Sequence, residues 1–369
     1  KTYAQVSCGV FSTTSGTSWG PKISELPNDA TYGGNTDNEY TQKFGKQQGK
    51  YYVPQRAAAG LDPWATPQAY DNAKDFFDTG ITWSNSLNVA QMLDKSSYSI
   101  SLGNTHQDGI ISSTGMDRYN VKVSADTKLT NNWSSGFTAN YITTSIDKAV
   151  TSGNGLLRTV YAAPPSYDLA GIPSHVDGNP YTQNSFRGSF DNAYWAMENN
   201  KFTEDTNRFF GNVYASYQTD FGTTNHKLNA KYMVGVDAYT THYVDSYGYG
   251  SNTGGGRGQI ENYGWTNATY NSLLTINYDW HINEDWGLNA VVGNEIIQSN
   301  RKKYYEYGTN YNFPGWNHIN NATTQQTEEE TWKNRTVGFF GNISASYRNM
   351  LYLTLTGRCL LYTSDAADE

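Results

Sequence analysis

Six histidines could hold a metal ion: His106, His175, His226, His242, His281 and His318. A helical metal pair needs i, i+4 spacing, and no two of them have it; no HExxH run exists either. Scattered polar histidines are the reading this spacing supports, and only a site assembled across strands would escape it. Asp108, Asp117 and Asp177 fall in expected loops and offer oxygen ligands for calcium, but their spacing matches no EF-hand. No cofactor is therefore implied, and loop calcium has no support beyond residue type. Gly254-Gly255-Gly256-Arg257-Gly258 lacks the Lys-Ser/Thr and the strand–helix context of a phosphate cradle, so it reads as a flexible loop. Glu328-Glu329-Glu330 supplies carboxylates without a partner at catalytic separation, and reads as a solvated charge run. No catalytic residue emerges. Cys8 and Cys359 lie near opposite ends and make neither a disulfide framework nor a zinc pattern.

Aromatic residues in or beside expected loops suit a binding role better. Tyr181, Trp195, Tyr247, Tyr249, Trp265, Tyr305, Tyr307 and Trp316 are the candidates. A ring face stacks on the C–H face of a sugar or on a peptide, and neighbouring Asn, Gln and Asp bond its polar groups. The competing role is packing of the loops on one another.

The elements that must position these rings are strands. Leu228, Ala230, Tyr232, Val234 and Val236 alternate with Lys227, Asn229, Lys231, Met233 and Gly235. The same alternation runs through Tyr270–Trp280, Tyr119–Asp126 and Val337–Tyr347. Alternate side chains of a strand point to opposite faces, so each strand separates an apolar side from a wetter one. About eleven strands follow from the pattern, near 2–11, 82–91, 96–104, 118–129, 133–145, 206–219, 227–246, 259–281, 286–306, 329–347 and 351–358. The connections between them alternate in length without exception. Those at 12–81, 105–117, 146–205, 247–258 and 307–328 are long; those around 92–95, 130–132, 221–225, 283–285 and 348–350 are short. An up-and-down sheet places alternate connections at opposite ends, and an outer-membrane barrel keeps one end's turns short. Trp133, Tyr217, Trp280, Trp286 and Tyr347 sit near the short turns in the apolar phase, as an interfacial girdle would.

Composition agrees. The 369 residues include 30 Tyr, 10 Trp and 14 Phe, yet only 16% are charged, with a formal net charge of −8. Mean hydropathy is −0.69, so the polarity comes from neutral side chains. Abundant aromatics argue against disorder, and net acidity argues against a nucleic-acid partner. No run of 18 apolar residues forms a transmembrane helix.

Several short motifs stand in a particular order: Ser18-Trp19-Gly20-Pro21-Lys22, Asp75-Phe76-Phe77-Asp78-Thr79-Gly80, Tyr98-Ser99-Ile100-Ser101, Gln107-Asp108-Gly109-Ile110-Ile111 and Arg118. Further along come Asn179-Pro180-Tyr181, Asn199-Asn200-Lys201-Phe202, Asn207-Arg208-Phe209-Phe210-Gly211-Asn212 and Tyr352-Leu353-Thr354-Leu355-Thr356-Gly357-Arg358. Their order and spacing resemble the barrel of SusC/RagA-type TonB-dependent outer-membrane transporters, and the resemblance spans 1–358. It implies an all-β, antiparallel up-and-down transmembrane barrel of 22 strands with long extracellular loops, of which this chain supplies about eleven. It also implies a plug domain, energy from the TonB complex through that plug, and a SusD-like surface lipoprotein over the loops. The cargo it implies is an oligosaccharide or a peptide. On this reading the chain is a barrel piece without its plug, and 359–369 is a non-native tail. A passive porin and a secreted all-β glycan-binding protein are the alternatives. The barrel reading requires Val234, Leu274, Ile276, Phe339 and Ile343 to share an outward face instead of filling a core between two sheets.

Overall fold

The computed structural model describes residues 2–150 and 155–366. Residues 367–369, the last of the expected tail, lie outside the described residues. Ten long strands form one antiparallel sheet in strict chain order: β1 Thr82–Met92, β2 Ser96–Asp108, β3 Gly115–Lys128, β4 Trp133–Lys148, β5 Lys201–Thr219, β6 His226–Tyr247, β7 Gln259–His281, β8 Trp286–Tyr311, β9 Ala322–Tyr347 and β10 Leu351–Ala366. Every neighbouring pair is antiparallel.

Register alone sorts the side chains onto two faces. One row runs Thr219, Leu228, Tyr278, Ala290, Ile343, Leu355 across β5 to β10. A neighbouring row on the same face runs Ala215, Tyr232, Leu274, Asn294, Phe339. The rows between them, such as Gln218, Asn229, Asn277, Val291, Asn342, Thr356, lie on the opposite face and are mostly polar. Val234, Leu274, Ile276, Phe339 and Ile343 all share the apolar face, as expected. Phe339 is 54% and Ile343 52% exposed, and neither joins a buried cluster. Among the described residues, the apolar face therefore has no second sheet against it.

On that face the apolar band occupies 209–219, 228–238, 270–280, 286–296, 337–347 and 351–361. This matches the roughly 9–11 residues a tilted strand needs to cross the hydrocarbon layer. Its lower rim carries the expected aromatics: Trp133 lies 5.0 Å from Tyr217, and Trp286 lies 4.8 Å from Tyr347. Above it the same face turns polar at Thr240, Thr266, Lys302 and Lys333.

Connections 93–95, 129–132, 220–225, 282–285 and 348–350 lie at one end, and 109–114, 149–200, 248–258 and 312–321 at the other. The alternation holds, but β2 and β3 continue toward each other and shorten the connection expected at 105–117. β5, β8, β9 and β10 likewise outrun their expected ends. Above the band both faces are wet, so the alternation that marks a strand fades while backbone pairing continues.

The segment 2–11 is a correction: it is not a sheet strand. Val6–Ser7 pairs only with Val10–Phe11. Cys8 (φ 50°) and Gly9 (φ 82°) both take positive φ, the geometry of a tight two-residue hairpin turn. The hairpin joins a compact loop body built from 2–81 and 155–200, with helices α1 Glu39–Phe44, α2 Pro54–Ala58, α3 Asn72–Phe76, α4 Leu156–Ala162 and α5 Ala193–Asn199. Asn38 caps α1, accepting from the Tyr40 and Thr41 amides at 3.0 Å each, while its own amide donates to Thr41 Oγ1. Leu26, Tyr51, Phe76, Leu169, Phe186 and Trp195 fill the core. Asn72 Nδ2 donates to the carbonyls of Pro164 and Tyr167, which fastens the two segments across a long chain separation. Cys8 and Cys359 are exposed free thiols.

Trp195→Ala is expected to destabilise the loop body by about 3–5 kcal/mol, because the ring is fully buried. Limited proteolysis should then cut within 149–200 while the β-sheet circular dichroism signal persists. Unchanged protease resistance would contradict this core assignment.

Candidate functional site

The polar face above the membrane-width band carries a ladder of aromatic rings. Glu204, Tyr243, Tyr263, Tyr305 and Glu328 stand directly opposite one another across β5 to β9. The next row toward the loops is Phe202, Asp245, Glu261, Tyr307, Gln326. The next row toward the band includes Thr241, Trp265, Lys303 and Glu330. Tyr243 and Tyr263 stack at 4.8 Å with planes 7° apart, and Tyr305 lies 6.4 Å beyond Tyr263. Trp265 leans on Tyr243 at 5.7 Å. The Arg301 guanidinium lies 5.2 Å from the Trp265 ring centre and 5.4 Å from that of Trp332, a cation held between two indoles. Beside the ladder a cavity of about 460 Å³ is lined by Lys148, Phe202, Tyr247, Met197 and Asn200, among others. That volume is in the range of small-ligand sites.

The expected site residues divide. Trp265, Tyr305 and Tyr307 belong to the ladder face. Tyr247 sits at its loop edge, with its ring edge-on to Phe202 at 5.2 Å. Trp316 lies in the 312–321 connection, 43% exposed, stacked between Phe313 and His318. Asn321 holds that loop by donating to the carbonyls of Phe313 and Trp316. The other three hold loops together. Trp195 is fully buried, and its indole N–H donates to the Pro180 carbonyl at 2.8 Å. The Tyr181 ring closes against Gly315, where a Cβ would come within 2.4 Å of its hydroxyl. Tyr249 packs against Ile260, Tyr311 and Ala322. Tyr243 lies in a strand end visibly rich in tyrosine, but Tyr263, Trp332 and Arg301 carry no signal of their own. They share the alternation phase of Trp265 and Tyr305, and pairing register is needed to bring them together.

The polar clusters resolve into structural roles. Lys302 meets Glu329 at 2.9 Å and Lys303 meets Glu330 at 3.2 Å, so the acidic run is paired on both faces. Asp108 and Asp117 flank His106 at 3.2 and 2.8 Å, whereas Asp177 takes the positive-φ turn of the 175–183 hairpin. Among the described residues, no three His, Cys, Asp or Glu side chains form a metal-binding group. In the glycine-rich loop, Gly254, Gly255, Gly256 and Gly258 all adopt positive φ. The loop is anchored at its start, where Ser251 and Asn252 donate to the buried carboxylate of Asp191.

Two ladder carboxylates break the ordinary cross-strand rule. Asp245 and Glu261 stand directly opposite each other, an arrangement that is destabilising when both are charged. Tyr263 donates to Asp245 at 3.0 Å, and Tyr305 bonds Glu261. Partial burial, together with the charge of Asp245, raises the Glu261 pKa above its ordinary value.

The two-faced, chain-ordered sheet with turns short at one end defines a section of transmembrane β-barrel wall. No protein-family model and no curated protein matches the sequence. Solved structures do. The RagAB peptide transporter matches with a TM-score of 0.63 at 14% identity, over 80% of this chain and 33% of that one. The RagAB peptide importer matches in its closed-closed state (0.62, 15%) and its open-open state (0.61, 14%) with the same coverage. The chain thus spans about a third of the length of those structures and shares their barrel fold. The likeness falls on the family that the sequence motifs resemble.

Because the folded state raises the Glu261 pKa, this group favours folding at low pH, and that contribution is lost as pH rises through the raised value. Glu261→Gln should melt higher than wild type near pH 7, with the advantage vanishing below the ordinary glutamate value of 4.5. Melting curves taken across that range test it, and an advantage that grows on acidification would contradict it.

Proposed function

We propose that this chain forms part of the barrel of an outer-membrane, TonB-dependent importer of oligosaccharides or peptides. It works with a SusD-like lipoprotein over its long loops and draws energy through a plug domain contacted by TonB. The observation that carries this reading is the membrane-width apolar band on one face, backed by a polar face that carries aromatic rings above it. Lipid offers no hydrogen bonds, so a sheet can lie in it only with its backbone paired and its edges closed. The polar face then lines the lumen. Cargo meets Tyr243, Tyr263, Tyr305, Tyr307 and Trp265 there, and Tyr247 and Trp316 nearer the loops. The RagAB likeness favours peptide over glycan as cargo. Import needs a path and differential binding, and no bond is made or broken by the wall.

In the full-length gene product, Phe339→Arg and Ile343→Arg each place a cation on the apolar band. Each should cost about 2–4 kcal/mol in bilayers, reducing heat-resistant, outer-membrane-assembled protein. Asn342→Arg, one residue away on the polar face, should assemble normally. Equal loss in all three would sink the lipid-facing assignment. Separately, the double variant Tyr263→Ala/Tyr305→Ala should reach the membrane in normal amount and lose most uptake of its cargo. Normal uptake would remove the ladder from the cargo path.

A further inference from the structure

Toward each side of the ladder a tyrosine is paired with a carboxylate, Tyr243 with Glu204 and Tyr305 with Glu261. In the first pair, Lys148 Nζ lies 4.6 Å over the Tyr243 ring and 3.4 Å from Glu204 Oε2. A cation is thus held by an aromatic face and a carboxylate together. In the second pair, two strands along, Asp245 stands opposite Glu261, and the Tyr263 ring lies between the pairs. The ion pairs of this region are Lys148–Glu204, Lys302–Glu329 and Lys303–Glu330. Among the described residues, neither Asp245 nor Glu261 belongs to one. The second pair therefore has the ring and more negative charge than the first, without a protein cation over it.

We infer that the Tyr305, Glu261 and Asp245 end of the ladder binds a positively charged group of the cargo, a primary ammonium or guanidinium. This rests on the importer reading and narrows its cargo. The cation takes the place over Tyr305 that Lys148 takes over Tyr243, and relieves the repulsion between the opposed carboxylates. A neutral sugar stacks on the same rings but leaves that repulsion in place. Burial is the largest cause of the raised Glu261 pKa, and the charge of Asp245 opposite adds to it.

The test is titration calorimetry on the purified full-length protein with paired probes. One pair is acetyl-Gly-Gly-Lys-Gly-Gly-amide and its Nε-acetyl-lysine twin; the other is a glucosamine hexamer and its fully N-acetylated twin. Acetylation removes the positive charge from each twin, and the comparison does not depend on any variant folding. The cationic member of at least one pair should bind at least about tenfold tighter. That preference should disappear in Glu261→Gln/Asp245→Asn and persist in Glu329→Gln, on the opposite face. It should also weaken as pH falls through the raised Glu261 value. The charged and titratable groups facing Glu261 are Asp245, Glu204, Glu328, Lys148, Tyr243, Tyr263, Tyr305 and Tyr307, and burial raises the pKa of Tyr243, Tyr263 and Tyr305, which stay neutral there. Preference in the peptide pair identifies a lysine-type cargo group, and preference in the sugar pair alone identifies an amino sugar. Equal binding within both pairs overturns the inference and leaves the importer reading intact. No binding by any probe, in a protein that still imports its natural cargo, also overturns it.

Discussion

Everything in this protein depends on one continuous antiparallel register. Ten strands pair in chain order, and a row of directly opposed residues can be followed from β5 to β10 without a break. A slip of one residue would exchange the faces of a strand. Phe339 would turn to the polar side, and Phe340, Asn342 and Ser344 to the apolar band. The register is specified because one face is predominantly apolar over the width of a membrane and the other is not. The same constraint accounts for the low charge fraction. Several polar-face charges are matched across strands, as Arg208 with Asp237 and Arg358 with Glu295.

Above the band this constraint relaxes, and different interactions take over. The loop body uses buried side-chain amides where a soluble core would use more apolar contact. Asn72, Asn184 and Gln55 each bond backbone carbonyls of distant segments, and Asn192 bonds that of Asn184. Such bonds fix loops that have no ladder of their own, since a buried amide left without partners costs more than the bond itself contributes. Trp195 and Phe186 supply the apolar centre around which these amides are placed.

The ladder shows where local rules and function diverge. Like charges set directly opposite on neighbouring strands are unfavourable, yet Asp245 and Glu261 are placed so. Elsewhere on the same face Glu204, Asp237, Glu295 and Glu330 have basic partners. This local violation, beside stacked rings and a cavity, is the observation on which the inferred cation site rests.

The sequence by itself determined the fold class, the two faces, the alternation of connection lengths and the girdle at the short turns. These follow from period-2 alternation, which is local and survives in any window of a few residues. It also identified Trp265, Tyr305 and Tyr307 as rings worth attention. It mistook the 2–11 hairpin for a sheet strand, because alternation is the same whether a strand pairs over two residues or twenty. It could not separate Trp195, which is core, from Trp316, which is exposed, since both stand in polar connections. Only the tertiary structure decided which rings meet. Tyr243, Tyr263 and Tyr305 lie on three strands joined by the connections 248–258 and 282–285, and their contact is fixed by the summed register of every pair between them. Phase along a strand is written residue by residue, but opposition across strands is a non-local quantity that exists only once the sheet has formed.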